Sequence, residues 1–387
     1  GSCTAAARWI GAKNEERLDR VVHTAILLSL IGGVVLALIG VFFSRYFLIW
    51  MNVPQDSVLP LSTLYLKIYF AGMPFNLLYN FGSSLCRARG DSKTPLLYLC
   101  AAGVSNVGLN IFFVVVCKMD VAGVALGTII AQMISSTLVL IHLMRLQGHC
   151  KVRLRSLRIH KDALFDILRI GLPAGIQGCI FSLSNVIIQS SINGFGEVAI
   201  TANADAANIE GFVYTAMNSV SQACLTFTGQ NYGARLRKNM DVSLLDSLLA
   251  VTVIGLVLGF GAYLLGAYVM RIYTTTPEVI EIGVRRLSVT CTTYCLCGIM
   301  DVLVGNLRGR GYSFLPMCVS IAGVCGVRIV YIFTYFAVNR TLLVLYLSYP
   351  ISWFATVLVH TVSLLIVRKK EKRAQWKDMP ARQTNLA

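Results

Sequence analysis

Two carboxylates, Asp301 and Glu210, sit inside runs of apolar residues. An acid at the centre of a membrane-crossing helix costs about 3 kcal/mol even on translocon scales unless it faces a cavity, a partner or water. Glu210 lies about twelve residues into its run, roughly 18 Å of helix. Asn203 stands one heptad before it and Tyr214 one turn after it, which helical spacing puts on one face. Such acids have two readings. Either they bind a proton or sodium and alternate that occupancy with a cationic ligand, or they are buried acids hydrogen-bonded for packing. Asp205, nearer the end of the same run, is the weaker case.

Neutral polar residues recur at one-turn spacing elsewhere. Asn106 and Asn110 form one pair, and Thr128 and Gln132 another in the next run. Asn185 and Gln189, with Ser182 a turn earlier, form a stripe, followed on the next run by Asn218 and Gln222. These faces suit ion coordination or a substrate route, and equally suit polar packing between helices. No enzyme-like arrangement competes. The five histidines, His23, His142, His149, His160 and His360, are scattered at span ends or loops, and the cysteines, including Cys291, Cys295 and Cys297, have no zinc or disulfide spacing. No catalytic residue, metal or bound cofactor is expected. The absence of a glycine-rich phosphate loop ending in Gly-Lys-Ser/Thr argues against direct drive by ATP, leaving ion gradients, or no pumping.

The elements that position these residues follow from composition. At 56% apolar and 13% charged, against about 25% charged in soluble domains, the chain reads as a membrane protein. Ten apolar runs, near 18–46, 57–86, 94–117, 121–144, 163–191, 198–229, 243–271, 279–307, 313–337 and 341–367, reach the roughly 20 residues that a helix needs to cross hydrocarbon. They lack the short alternating segments of a barrel, so the expected class is all-α and polytopic. The net charge of +16 comes from basic residues at every second connection: Lys13 to Arg20, Arg87 to Lys93, Arg145 to Lys161, Arg235 to Lys238, Arg308 and Arg310, and the tail. The connections around Asn52, Lys118, Asn193, Thr275 and Asn339 carry few. The positive-inside rule then puts both ends in the cytoplasm and accounts for the charge without nucleic acid. Lys67, Arg286 and Arg328 are expected to snorkel, and Glu281 to pair with Arg285 one turn away.

The chain also repeats itself. Arg87, Arg89, Gly90, Ser92 and Pro95 return as Arg308, Arg310, Gly311, Ser313 and Pro316, while Gly11-Ala12-Lys13 and Asp19 meet Gly233-Ala234-Arg235 and Asp241. At this offset Asp301 falls on Asn80. The first four runs pair with the last four, which leaves two second-half runs without partners. A parallel repeat of six-span units is expected, with the first two spans of the first lobe, roughly 60 or more residues, preceding Gly1. The organisation expected is 1–146 for the first lobe, a basic linker at 147–161, 162–368 for the second lobe and a basic tail at 369–387. The linker reads as an ordinary cytoplasmic loop or an amphipathic segment on anionic lipid. Pro173, near the start of its run, reads as the initiator of a helix or as a residue that permits a bend.

Gly11-Ala12-Lys13, Gly72-Met73-Pro74, the Arg87–Pro95 turn, Gly171-Leu172-Pro173 and Phe227-Thr228-Gly229-Gln230-Asn231-Tyr232-Gly233-Ala234 fall in an order that resembles the MATE (multidrug and toxin extrusion) family, most of all its prokaryotic DinF-like branch. The resemblance runs from Gly1 to about Val367. It implies a bacterial inner-membrane antiporter, monomeric, that exports organic cations, drugs or related amphiphiles in exchange for H+ or Na+ by alternating access. Asp301 matches an acid that cation-coupled relatives carry. DinF-like relatives build the first lobe's cation site from an Asn, an Asp four residues on, a Thr in the next span and an Asp in the first. Here Asn106 and Thr128 match, Asn110 replaces the Asp, and the first-span Asp would lie in the region expected to precede Gly1. The alternatives are a lipid-linked oligosaccharide flippase of the same superfamily, which would want a cationic cavity, and an inactive truncated remnant.

Overall fold

The computed structural model describes residues 1–50, 58–148 and 150–374. The connection around Asn52, His149 and the tail from 375 to 387 lie outside the described residues, which contain helices and no strand. The chain forms two compact units, one of Gly1–Gly171 with Gly229–Arg235, the other of Leu172–Thr228 with Leu236–Ala387. The first unit therefore extends past the expected linker into the next helix.

Unit 1 contains α1 (Ser2–Gly11), α2 (Glu15–Trp50), α3 (Leu59–Ala71), α4 (Met73–Ala88), α5 (Lys93–Ile111), α6 (Asp120–Arg145) and the start of α7 (Lys161–Asn193). The run expected at 57–86 is broken at Gly72, because Pro74 enters the first turn of α4, where it withholds an N–H and crowds the carbonyl four residues back. Hydrophobic transfer cannot draw helices together within lipid, so small residues that admit close backbones matter. Ala5, Ala6 and Ala7 of α1 are buried against Val21, Ala25, Leu85 and Leu143. A side chain at Gly11 would strike the Gln230 carbonyl, and Gln230 donates from its Nε2 to the Ala88 carbonyl at 2.7 Å.

The linker is docked onto α2. Val152 and Cys150 join the unit 1 core, His23 Nε2 accepts from the Arg153 N–H at 3.1 Å, and Thr24 Oγ1 accepts from the His160 N–H at 3.1 Å. Lys151, Arg153 and Arg155 point outward. Pro173 stands inside α7 instead of initiating it, since the helix begins at Lys161.

Unit 2 takes the rest of α7, then α8 (Glu197–Gly233) up to Thr228, α9 (Arg237–Leu264), α10 (Gly266–Tyr273), α11 (Pro277–Thr290), α12 (Tyr294–Gly309), α13 (Phe314–Ser320), α14 (Val327–Tyr331) and α15 (Leu342–Ala374). A 3-10 turn at Cys291–Thr293 divides the run expected at 279–307; Thr292 and Thr293 bond back to the carbonyls of Ser288 and Val289, the side-chain competition that bends helices. Two π-helical segments, Ile321–Gly326 and Ile332–Phe336, flank α14. Among the described residues eight helices are long and apolar enough to span a membrane, and the chain is a multi-pass membrane protein. The expected runs at 57–86 and 198–229 are not among the eight: the first is split, and α8 carries Asn203, Asp205, Glu210, Asn218 and Gln222 along its length.

The repeat is written in the backbone. Lys13 and Arg235 both take positive φ, at 52° and 63°, and Gly90 and Gly311 take 92° and 90°. That left-handed region suits glycine and costs other residues strain.

Candidate functional site

Unit 2 holds a buried ion pair on facing helices. Arg286 of α11 donates from Nε to Glu210 Oε1 and from Nη2 to Glu210 Oε2, both at 2.8 Å, and from Nη1 to Asn203 Oδ1 at 2.8 Å. Thr290, one turn on from Arg286, donates to Glu210 Oε1 at 2.6 Å. Asn203 donates in turn to the Ala199 carbonyl at 2.7 Å, and the rings of Tyr346 and Tyr349 lie 6.0 and 5.8 Å from the guanidinium. The fork geometry satisfies the carboxylate on both oxygens, the condition under which two charges coexist away from water. Arg286 is thus 6% exposed and does not snorkel. Glu281 and Arg285, expected as partners, form no ion pair; the neighbouring arginine is the one that pairs.

Asp301 of α12 has a different environment. Its backbone carbonyl accepts from Ser221 Oγ at 2.7 Å, but its partly buried carboxylate makes no hydrogen bond or ion pair among the described residues. Its electrostatic neighbours include Arg308, two turns further along α12, Tyr214 of α8 and Cys297. Arg308 donates from Nη2 to Gln177 Oε1 of α7 at 2.8 Å, while its Nε is buried without a partner among the described residues. Tyr214 accepts at its hydroxyl from Asn218 Nδ2 at 3.1 Å, and Asn218 Oδ1 accepts from Gln222 Nε2 at 3.4 Å. These three make one ladder along α8. The face expected to hold Asn203, Glu210 and Tyr214 together is divided: the first two turn to Arg286, and Tyr214 joins the Asp301 neighbourhood. Asn185 is exposed, and Gln189 donates to Asn193 on its own helix at 3.0 Å, so this stripe is not tied to the α8 ladder.

In unit 1 the structure brings Asn106, Asn110 and Thr128 together. Asn110 donates to Asn106 Oδ1 at 3.2 Å, and Asn106 Nδ2 lies 3.5 Å from Thr128 Oγ1. Asn110 Oδ1 is buried with no partner among the described residues, and it occupies the space that a side chain at Gly127 would fill. Asn80, the repeat counterpart of Asp301, bonds back to the Asn76 carbonyl at 2.9 Å.

Several polar residues here carry roles that spacing does not signal. Gln177 has no polar residue one turn away, and Ser221, although three residues after Asn218, bonds a backbone carbonyl on another helix. His360, expected at a span end or loop, is buried well inside α15, where its Nε2 meets Ser320 Oγ at 2.9 Å and its Nδ1 has no partner among the described residues. Arg310, read as part of a simple turn, is 1% exposed and bonds Asn306 at 2.9 Å, Glu371 at 2.6 Å and Asp241 at 3.0 Å. It ties the ends of α9, α12 and α15 together.

The family model described as MatE matches residues 1–116 and 173–334. The chain is 30% identical over 337 residues to "Probable multidrug resistance protein YoeA" of Bacillus subtilis (strain 168), covering 85% of this chain and 72% of that one. It is 30% identical over 273 residues to "Probable multidrug resistance protein YpnP" of the same organism, covering 70% and 60%. Among solved structures it superposes with a TM-score of 0.89, at 20% identity and covering 96% of this chain and 84% of the other, on the outward-facing conformation of a multidrug resistance MATE family transporter of the MOP superfamily.

Proposed function

The chain belongs to the MATE family, and from that premise we propose that it is a secondary antiporter exporting organic cations, drugs or related amphiphiles in exchange for H+ or Na+, with Asp301 as the coupling carboxylate. The unpaired state of Asp301 carries the reading. A carboxylate that must take up and release a cation cannot be held permanently by an arginine, and of Asp301 and Glu210 only Asp301 meets that condition. Glu210, gripped by Arg286 on both oxygens, is assigned to holding α8 against α11. The Tyr214, Asn218 and Gln222 ladder beside Asp301 supplies hydrogen-bonding groups for a polar end of the substrate. Asn106, Asn110 and Thr128 offer neutral oxygens and no carboxylate, which suits sodium or water better than a proton. The names of the similar proteins support drug export, and the distribution of basic residues supports cytoplasmic ends.

Ethidium efflux from proteoliposomes, driven separately by a pH gradient and a sodium gradient, tests this. Asp301→Asn is expected to abolish gradient-driven efflux while leaving the protein folded, and wild-type efflux in that variant would remove Asp301 from the mechanism.

A further inference from the structure

The buried arginines of unit 2 find acceptors or rings within the protein. Arg286 holds Glu210. Arg328, expected to snorkel, is 5% exposed, donates from Nε to Ser352 Oγ at 3.0 Å and sits 4.5 Å from the ring centre of Tyr349. Arg310 is held by Asn306, Asp241 and Glu371. Its repeat counterpart in unit 1, Arg89 at the end of α4, is without all three. At the offset that carries Arg89 to Arg310, Asn306 falls on Leu85 and Glu371 on Cys150. The counterpart of Asp241 is Asp19, which meets His23 Nδ1 at 3.4 Å, and Asp91, close to Arg89 in sequence, meets His142 at 3.5 Å.

The correspondence holds in space as well. Cys150 is an electrostatic neighbour of Arg89, as Glu371 is the partner of Arg310, so unit 1 has a thiol where unit 2 has a carboxylate. Arg89, Lys13 and Cys150 line an open cavity of about 360 Å³ in which Glu15 is the one acid among the described residues. Neither the Arg89 guanidinium nor the Lys13 ammonium makes a hydrogen bond or ion pair with the described residues. Trp9, Ile10 and Leu18 give the cavity an apolar wall. The Trp9 indole N–H donates to Asp166 Oδ2 at 3.1 Å, which fixes the ring in the place that aromatic residues take at headgroup level. The cavity stands at the end of the spans that the distribution of basic residues assigns to the cytoplasm. A guanidinium fork beside an ammonium suits phosphate oxygens, basic pockets on this side of a membrane recruit anionic headgroups, and the apolar wall suits the glycerol backbone and first methylenes of a lipid.

We propose that this cavity of unit 1 binds the phosphate of an anionic phospholipid, the lipid giving Arg89 the negative charge that Glu371 gives Arg310. The inference concerns a lipid contact and stands apart from the coupling role of Asp301.

The test is isothermal titration calorimetry of the purified protein in dodecyl maltoside with dihexanoylphosphatidylglycerol and dihexanoylphosphatidylcholine, each below its micellar concentration. The wild type is expected to bind the anionic lipid about tenfold more tightly than the choline lipid, whose quaternary ammonium meets the same two cations. Arg89→Gln should remove that preference. Cys150→Glu, which supplies the carboxylate of the other half, should remove it too, and Arg153→Gln, a change at an exposed linker cation outside the cavity, should keep it. Equal binding of the two lipids by the wild type, which needs no variant to fold, would overturn the proposal, as would an undiminished preference in Arg89→Gln. A preference lost equally in Arg153→Gln would overturn it in favour of diffuse surface charge. Inorganic phosphate that binds the wild type as tightly as the anionic lipid, and Arg89→Gln far less, would overturn the assignment to a lipid and give the cavity to soluble phosphate. Because the readout is equilibrium binding, a failure of Asp301→Asn to affect efflux leaves this result unchanged.

Discussion

Replacing Glu210 with Gln keeps the side chain's shape and removes its charge, which leaves Arg286 buried on α11 with no carboxylate. The two charge-assisted bonds from Arg286 to Glu210 are 2.8 Å each, and the Thr290 bond at 2.6 Å is weakened by the same change. Hydrogen bonds to charged groups contribute about 1.5–3 kcal/mol apiece, so the two give about 3–6 kcal/mol, in line with about 3–5 kcal/mol for breaking a buried pair by removing one partner. A helical membrane protein unfolds within the bilayer or micelle, where Arg286 finds substitute partners, so the expected cost is near the low end, about 3 kcal/mol. Reversible unfolding by sodium dodecyl sulfate, followed by circular dichroism, measures it. The double variant Glu210→Leu with Arg286→Met should recover most of that stability, because replacing a whole buried pair by apolar residues is often neutral or stabilising. A Glu210→Gln protein within about 1 kcal/mol of wild type that has nevertheless lost gradient-driven efflux would refute the reasoning and restore Glu210 as a titrating group.

Three further outcomes are expected. Asn110→Asp adds a carboxylate beside Asn106 and Thr128 at a position whose oxygen is already buried without a donor, so its melting temperature should rise with sodium more steeply than that of the wild type; an identical sodium response would show that these oxygens do not converge on a cation. Arg310→Met strips Glu371 of its partner and leaves Asp241 with Arg368 alone, and should cost about 3–5 kcal/mol, read as a drop in thermal stability in detergent, with a neutral result contradicting the buried network. Gly259→Val brings a side chain against the Cys291 carbonyl across the α9 packing face and should destabilise by about 1–3 kcal/mol or more, measured by the same unfolding titration.

Spans and helix faces were legible because they depend on local periodicity. Asn106 and Asn110 meet because residues four apart share a face, and Thr128 joins them because α6 packs directly on α5. The split at Gly72 was available from Pro74, although a continuous apolar run concealed it. The identity of the arginine that pairs with Glu210 was not legible. Arg285 and Arg286 differ by about 100° around the helix, and only the placement of α11 against α8 decides which one turns inward. Treating intramembrane arginines as snorkelling side chains applies near span ends, and Arg286 and Arg328 lie too deep in unit 2 for it. Long-range partners such as Gln177 with Arg308, 131 residues apart, leave no trace in spacing.

The duplication separates what the scaffold requires from what each half does with it. Lys13 and Arg235 share a left-handed turn, and Gly90 and Gly311 share another, so the backbone of the repeat has been kept where the chain must reverse. The side chains built on that backbone have diverged. Arg310 is buried and paired with Asp241, whereas its counterpart Arg89 is exposed and Asp19, the counterpart of Asp241, meets His23 instead. Asn80 closes onto its own helix while Asp301, at the same place in the repeat, keeps a free carboxylate. A neutral amide satisfied within its helix has no need of a mobile cation, and an acid left without a partner does. If that divergence sets where coupling resides, Asn80→Asp should leave efflux by an Asp301→Asn protein unrestored, because Arg87, the repeat counterpart of Arg308, donates to Ser83 on its own helix where Arg308 reaches Gln177 of α7. Restored efflux in the double variant would show instead that a carboxylate at either copy of this position is sufficient.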